Sequence, residues 1–293
     1  MRFSRIKATV VALGLAASMA ACGNADTNNG GPTVAPATDV TFDAGTRMQE
    51  LADAGKIVVG VKYDQPGLGF KGATDDVPAG FDIEIAKILV ASLGIDPESD
   101  NVTWKETISD NREPFLKAGA VDLVLASYSI TDERRAEVGQ TGPYMVTGQQ
   151  LLVKADSDVT SIDDLAGKEV CSVTGSTSID RIEEKGAKAV GFDSYSECVQ
   201  KVLDGTVEGM STDGTILAGF AAQNEGMLKV VGDPFSTENI GVGYSKDHPE
   251  MCQWINDTLQ KAFDDGTWAA AFESTLGPSG VATPEPPALD PCM

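Results

Sequence analysis

Histidine occurs once in the 293 residues, as His248, and no two cysteines stand in a Cys-x-x-Cys spacing. A chain so poor in histidine has no Ser-His or Cys-His pair with which to build a catalytic nucleophile. It also lacks a donor set of the kind that holds zinc, so neither a metal nor a cofactor is expected. Basic residues are scarce too: 22 Lys and Arg stand against 44 Asp and Glu, a net charge of −22 at pH 7. That balance argues against nucleic acid as a partner, because such binding rests on neutralising phosphates. It also gives weight to any cation in a pocket, since an anionic ligand would need a locally inverted field. Long apolar runs are missing as well. The one extended stretch, residues 8–21, is shorter than the roughly 20 residues needed to span a bilayer.

The surroundings of that stretch give it another meaning. Arg2, Arg5 and Lys7 precede it and small residues close it, the layout of a secretory signal peptide over residues 1–21. Ala20-Ala21-Cys22 resembles a bacterial lipobox, with Met19 in place of the usual Leu. The resemblance implies lipidation of Cys22; ordinary cleavage with a free thiol is the alternative. Residues 22–41 are rich in Asn, Gly, Pro, Thr and Ala with almost no large side chain, the composition of a flexible tether. The remainder, roughly 250 residues, can bury a sizeable core in one large or two medium domains. Setting Cys22 aside leaves Cys171, Cys198, Cys252 and Cys292, an even set in an exported chain, with three possible pairings.

The rest is best understood from Val121-Asp-Leu-Val-Leu-Ala-Ser-Tyr-Ser-Ile-Thr-Asp-Glu-Arg-Arg135. Residues 121–126 have the length and character of a buried strand. Ser127 and Ser129 follow, and Thr131 reads as the N-cap of a helical turn that carries Arg134. Hydroxyls, backbone N–H groups and a guanidinium therefore gather at a strand's carboxyl end, where open α/β sheets bind ligands. A guanidinium fork suits a carboxylate, although a surface Arg paired with its acidic neighbours is the plainer reading. The whole string resembles the strand–hinge–helix of the polar amino-acid-binding proteins of ABC importers, a pattern that ends in Thr-Asp-Glu-Arg. The resemblance implies that Arg134 holds a ligand α-carboxylate, with Ser127 and Ser129 on the same wall.

Other stretches fall into place around it. Residues 57–61 read as a strand, and the Pro- and Gly-rich loop 62–70 beyond it can bring backbone close to a ligand. The resemblance places Asp64 there, facing the ligand or its waters; an Asx-turn is the local alternative. Relatives often carry an aromatic on the ligand where this chain has Gly67 and Leu68, which leaves the apolar floor unassigned. Gly80-Phe81-Asp82 opens a helix with Phe81, Ile85, Ile88, Leu89 and Leu93 at helical spacing, read as packing and capping. A further helix over 109–118 begins with Ser109-Asp110-Asn111-Arg112. By resemblance Arg112 reaches the ligand side chain and could hold a second carboxylate, as in glutamate or aspartate. A solvated Arg paired with Asp110 or Glu113 is the competing reading.

Residues 169–173 read as a strand running into Thr174-Gly175-Ser176-Thr177-Ser178 and a helix, a layout that offers free N–H groups to an anion. A phosphate loop is excluded because no Gly-Lys-Ser/Thr closes the motif. The resemblance makes Ser176 and Thr177 donors to the carboxylate that Arg134 holds; a simple helix cap is the alternative. Residues 206–210 read as a strand, 211–214 as its loop and 215–224 as a helix. Asp213 matches the family's ammonium-binding acid, and equally suits a helix N-cap.

The chain order implies a two-lobed α/β clam of the type II periplasmic-binding kind. Residues 42–145 and 242–293 form one lobe and 146–241 the other, with hinge crossings at 146–153 and 240–244. Each lobe then holds one cysteine pair, Cys171–Cys198 and Cys252–Cys292. The resemblance implies a lipid-anchored, extracytoplasmic receptor that closes on an L-amino acid and delivers it to an ABC permease and its ATPase. Tyr63-Asp64-Gln65-Pro66 and Asp110-Asn111-Arg112 resemble the glutamate-uptake branch, with glutamine, aspartate and asparagine as rival ligands. Some relatives on this scaffold are dehydratases of cyclic dienyl acids. Asp64 or Glu106 would be the acid here, but no second catalytic group stands near either in the sequence.

Overall fold

The computed structural model describes residues 31–292. The expected signal peptide, Cys22 and the first part of the expected tether lie outside the described residues. In chain order come α1 (Arg47–Ala54), β1 (Ile57–Val61), β2 (Asp64–Gln65), β3 (Gly69–Phe70), α2 (Phe81–Ser92), β4 (Val102–Glu106), α3 (Arg112–Lys117), β5 (Leu123–Leu125), α4 (Asp132–Glu137) and β6 (Gly139–Thr147). They are followed by β7 (Gln149–Lys154), β8 (Glu169–Val173), α5 (Ser178–Glu184), β9 (Lys188–Phe192), α6 (Tyr195–Asp204), β10 (Gly209–Asp213), α7 (Gly214–Gln223), β11 (Leu228–Val231), β12 (Glu238–Tyr244), α8 (Met251–Asp265) and α9 (Thr267–Thr275).

Two five-stranded sheets organise these elements, in the orders β4-β1-β5-β12-β6 and β11-β7-β10-β8-β9. In each, three neighbouring strands are parallel: β4, β1 and β5 in the first, β10, β8 and β9 in the second. Parallel strands need crossover helices, and buried on both faces they read as short continuous apolar runs, as in Ile57–Val61. Their carboxyl ends in both sheets point toward one shared cleft, the place where such sheets bind ligands.

The chain crosses between sheets at Gly148 and again through 232–237. Thr147 still pairs with Glu238 inside the first sheet, whereas Gln149 already pairs with Asp213 inside the second. The expected lobe boundaries at 145/146 and 241/242 thus fall inside β6 and β12, which belong to the first sheet along their whole length. β10 is also displaced by three residues from the expected strand at 206–210: Ser211, Thr212 and Asp213 are its last residues, not a loop. Their small polar side chains read as a turn, but burial against β7 and the flanking helices keeps them extended.

The first core is centred on α2, whose residues from Phe81 to Ala91 are buried except Lys87. Phe81 meets Phe272 edge-on at 5.1 Å and Trp268 at 5.9 Å. Truncating a ring in such a cluster costs about 3–5 kcal/mol. The same cluster bears on the cleft, because Trp268 Nε1 donates to the backbone oxygen of Tyr144 at 2.8 Å. Cys171 is joined to Cys198 within the second sheet's lobe, and Cys252 to Cys292 within the first. No helix among the described residues is long and apolar enough to cross a membrane.

Candidate functional site

The first wall of the cleft is built from strand ends and helix starts. β5 runs out into Ala126 and Ser127. Ser127 adopts φ +44°, a left-handed conformation unusual for a residue with a Cβ. Two bonds hold it there: its N–H donates to Asp82 Oδ2 at 2.8 Å and its hydroxyl to Gln65 Oε1 at 2.7 Å. Asp82 is fully buried and also accepts from the Tyr144 hydroxyl at 2.7 Å. Burial pushes its carboxyl up, and the bonds from Tyr144 and Ser127 oppose that. The Gly-Phe-Asp start of α2 therefore does more than cap: its Asp holds a cleft residue in a strained conformation.

Thr131 caps α4, its hydroxyl accepting from Arg134 N–H at 3.2 Å, as the sequence predicts. Arg134 Nη1 then donates to Ser129 O at 2.7 Å and Nη2 to Gly175 O at 3.0 Å across the cleft. Arg112 is not solvated: it is 2 % exposed, and its donors reach the backbone oxygens of Ser109, Ala126 and Gly175. Both guanidiniums lie over the Tyr128 ring, at 4.4 Å for Arg112 and 4.9 Å for Arg134. The Tyr128 hydroxyl donates to Glu113, which also pairs with Arg134 Nε at 3.3 Å. Burial, and then the neighbouring Arg134 charge, push the Arg112 guanidinium down to about 10. Two cations thus converge on one carbonyl oxygen, that of Gly175.

The second wall carries the opposite sign. Asp213, the last residue of β10, is 4 % exposed and makes no side-chain cap to α7. The capping reading of this residue is therefore not realised. Burial and the nearby Glu238 carboxylate raise Asp213 to about 7, with Arg112 and Arg134 opposing. Glu238 is itself buried and ion-paired to Arg181 at 2.7 Å. Ser176 Oγ is buried without a partner among the described residues. Thr177 Oγ1 stands 3.4 Å from Glu238, and its side chain makes no cap to α5. Arg112, Ser127, Ser129, Arg134, Ser176, Thr177 and Asp213 all line one narrow cavity between the walls.

A profile of the bacterial extracellular solute-binding proteins, family 3, matches residues 57–278. The chain belongs to that family. It is 37% identical over 246 residues to the glutamate-binding protein GluB of Corynebacterium efficiens, spanning 80% of this chain and 83% of that one. It is 33% identical over 232 residues to the ABC transporter glutamine-binding protein GlnH of Bacillus subtilis, spanning 78% and 84%. A solved structure of an ancestral arginine-binding protein bound to glutamine matches with a TM-score of 0.70 and 33% identity, over 76% of this chain and 98% of that one. An ancestral amino acid-binding protein, a precursor of cyclohexadienyl dehydratase, matches at 0.71 and 31%, over 79% and 100%. The architecture is the type II periplasmic-binding clam.

In this solute-binding clam Asp64 stands apart from the expected ligand set. It does not line the cavity; its Oδ2 accepts the N–H groups of Tyr195 at 2.8 Å and Ser196 at 3.3 Å. It binds the first turn of α6, reaching from the first lobe to the free donors of a second-lobe helix. Close approach continues at Gly175, where φ is +76° and an added Cβ would collide with Asp110. Sequence reasoning missed several polar residues here. Gln65, Ser109, Tyr195 and Thr212 line the cavity, and Lys62, Asp82 and Glu238 lie buried beside it. Among them only Asp82, an acid directly after Phe81 in the first turn of α2, carried a signal.

Proposed function

We propose that this protein is an extracytoplasmic receptor that closes on an L-amino acid, glutamate first among them, and delivers it to an ABC importer. Arg134 takes the α-carboxylate together with Ser176 and Thr177, and Asp213 takes the α-ammonium. Ser129 and the strained Ser127 complete the first wall, and Arg112 receives the side-chain carboxylate. The carrying observation is the juxtaposition of two guanidiniums, Arg112 buried and Arg134 half-buried, with a buried carboxylate, Asp213, across one narrow cavity. That is the charge pattern a zwitterion bearing a second carboxylate would match. The GluB relative supports glutamate. The GlnH relative and the glutamine-bound ancestral protein keep glutamine as the second reading.

A binding role is also favoured over dehydration. Asp64 is engaged with α6, and Glu106 is exposed at the end of β4, so neither candidate acid faces the cavity. Residues 1–21 fit an export signal, and Ala20-Ala21-Cys22 supports anchoring through a lipid on Cys22. The test is calorimetric titration of the chain from Gly23 onward, refolded to remove carried-over ligand, against the twenty common amino acids. Glutamate should bind most tightly, and Arg134→Ala should abolish the heat. A preference for glutamine would remove the side-chain assignment of Arg112. Heat from no amino acid would sink the receptor reading.

A further inference from the structure

Lys62 directly follows β1 and is 3 % exposed, behind the first wall of the cleft and not on it. Its Nζ donates to Ser109 Oγ at 3.0 Å. Ser109 does line the cavity, and its backbone oxygen accepts Arg112 Nε at 3.1 Å. One serine therefore joins two buried cations at the same end of the site. Asp64, Asp82 and Glu106 act on Lys62 through space, but no carboxylate among the described residues reaches it at ion-pair distance. A buried ammonium whose one hydrogen bond among the described residues goes to a hydroxyl is a costly arrangement with no evident gain for packing.

We propose that Lys62, acting through Ser109, is a specificity-determining residue that selects a ligand side chain ending in a carboxylate over the isosteric amide. Ser109 Oγ accepts from the ammonium, so its own proton is left to donate toward the cavity. Arg112 beside it has five donors and no acceptor, and an ammonium has three donors and no acceptor. The carbonyl oxygens at this end already accept from Arg112, so what it offers a ligand side chain is chiefly donors. A carboxylate accepts on both oxygens, whereas the NH2 of an amide would meet donors and acceptors already engaged. Charge acts in the same direction. Burial and the Arg112 charge bring the Lys62 ammonium down to about 7, with Asp64, Asp82 and Glu106 opposing. An entering side-chain carboxylate favours the charged lysine, so an acidic ligand binds together with a proton and an amide does not.

The inference rests on the amino-acid reading of the cleft, and one experiment separates the two. The chain from Gly23 onward is titrated calorimetrically with glutamate and with glutamine, from about pH 6 to about pH 8.5, in buffers of differing ionisation enthalpy. Asp213 faces the α-ammonium that both ligands share, so its proton cancels in their difference. Glutamate should take up about half a proton more than glutamine near pH 7, and its affinity advantage should fall about tenfold across the range. Lys62→Met should abolish the extra proton and flatten that pH dependence, and Ser109→Ala should weaken both effects. Equal proton counts in the unmutated protein, a preference for glutamine, or a pH dependence that survives Lys62→Met would overturn the inference and leave an amino-acid receptor standing. Binding of no amino acid would remove both. The proton count needs no variant, so it decides the matter even if Lys62→Met does not fold.

Discussion

The two walls of the cleft hold charges of opposite sign, and they hold them by different means. On the first wall Arg134 and Arg112 are supported by an aromatic face and by carbonyl oxygens, with Glu113 the one carboxylate in contact. Across the hinge Glu238, the first residue of β12, is neutralised by Arg181 of the second lobe, while Asp213 on the second wall is left buried without an ion-pair partner among the described residues. Each lobe therefore keeps a charge that its own residues do not satisfy. Those charges come to face one another only when the lobes meet, and a zwitterion between them can answer both. This is how a ligand shifts an open–closed equilibrium: it interacts with the closed state in a way the open state cannot match.

Breaking either wall should cost the most. Asp213→Ala, like Arg134→Ala, should weaken every amino acid by about a hundredfold or more, since each removes one partner of a desolvated charge pair. Calorimetry reads this directly, and a loss confined to one ligand would argue against the assignment. Next comes Arg112→Ala, expected to weaken glutamate and aspartate by about tenfold or more while leaving glutamine within a few-fold. A uniform loss would mean that Arg112 serves only to hold the backbone of its own wall.

Stability sharpens the contrast further. Asp213 titrates at about 7 in the folded chain against an ordinary 3.8. Because the folded value is raised, the carboxylate penalises folding fully above about pH 7, and the penalty disappears as pH falls below the unfolded value. Asp213→Asn should therefore stabilise the unliganded protein at pH 8 by about 1–3 kcal/mol in urea unfolding, with the gain gone near pH 4. No gain at pH 8 would mean that the charge is compensated after all. The smallest effect is expected from Gly175→Ala, where the new Cβ meets Asp110 and the left-handed φ adds about 1 kcal/mol of strain. Scattering from the liganded protein should then show incomplete closure, with affinity lowered about threefold.

Much of this architecture was legible in the sequence, because the signals were local. β1 and β8 have the predicted boundaries, and the Thr131 cap three residues before Arg134 is present as predicted. Local reasoning failed where a residue's partner comes from far along the chain. Asp64 looked like a ligand contact, yet its partner is the start of α6, 131 residues away. Asp82 and Ser127, 45 residues apart, meet only after α2 packs on β5. Lys62 finds Ser109 across 47 residues. Arg112 was open to a surface reading because nothing in Ser109-Asp-Asn-Arg112 foretells that Tyr128 will lie beneath it. A buried polar residue announces its role through its partner, and composition does not name the partner.

The order of strands in the two sheets has a consequence for how the molecule comes into being. Every strand of the second sheet lies in one unbroken stretch from Gln149 to Val231, whereas the first sheet needs β12, and α2 needs α9. A ribosome delivers the amino end first. The inner lobe can therefore complete its pairings while the outer one still waits with β5 lacking its β12 neighbour and Phe81 uncovered. Cys198 can find Cys171 after 27 residues, but Cys252 must wait 40 residues for Cys292. The half that begins first finishes last, and its apolar face is what a chaperone would have to shield in the meantime.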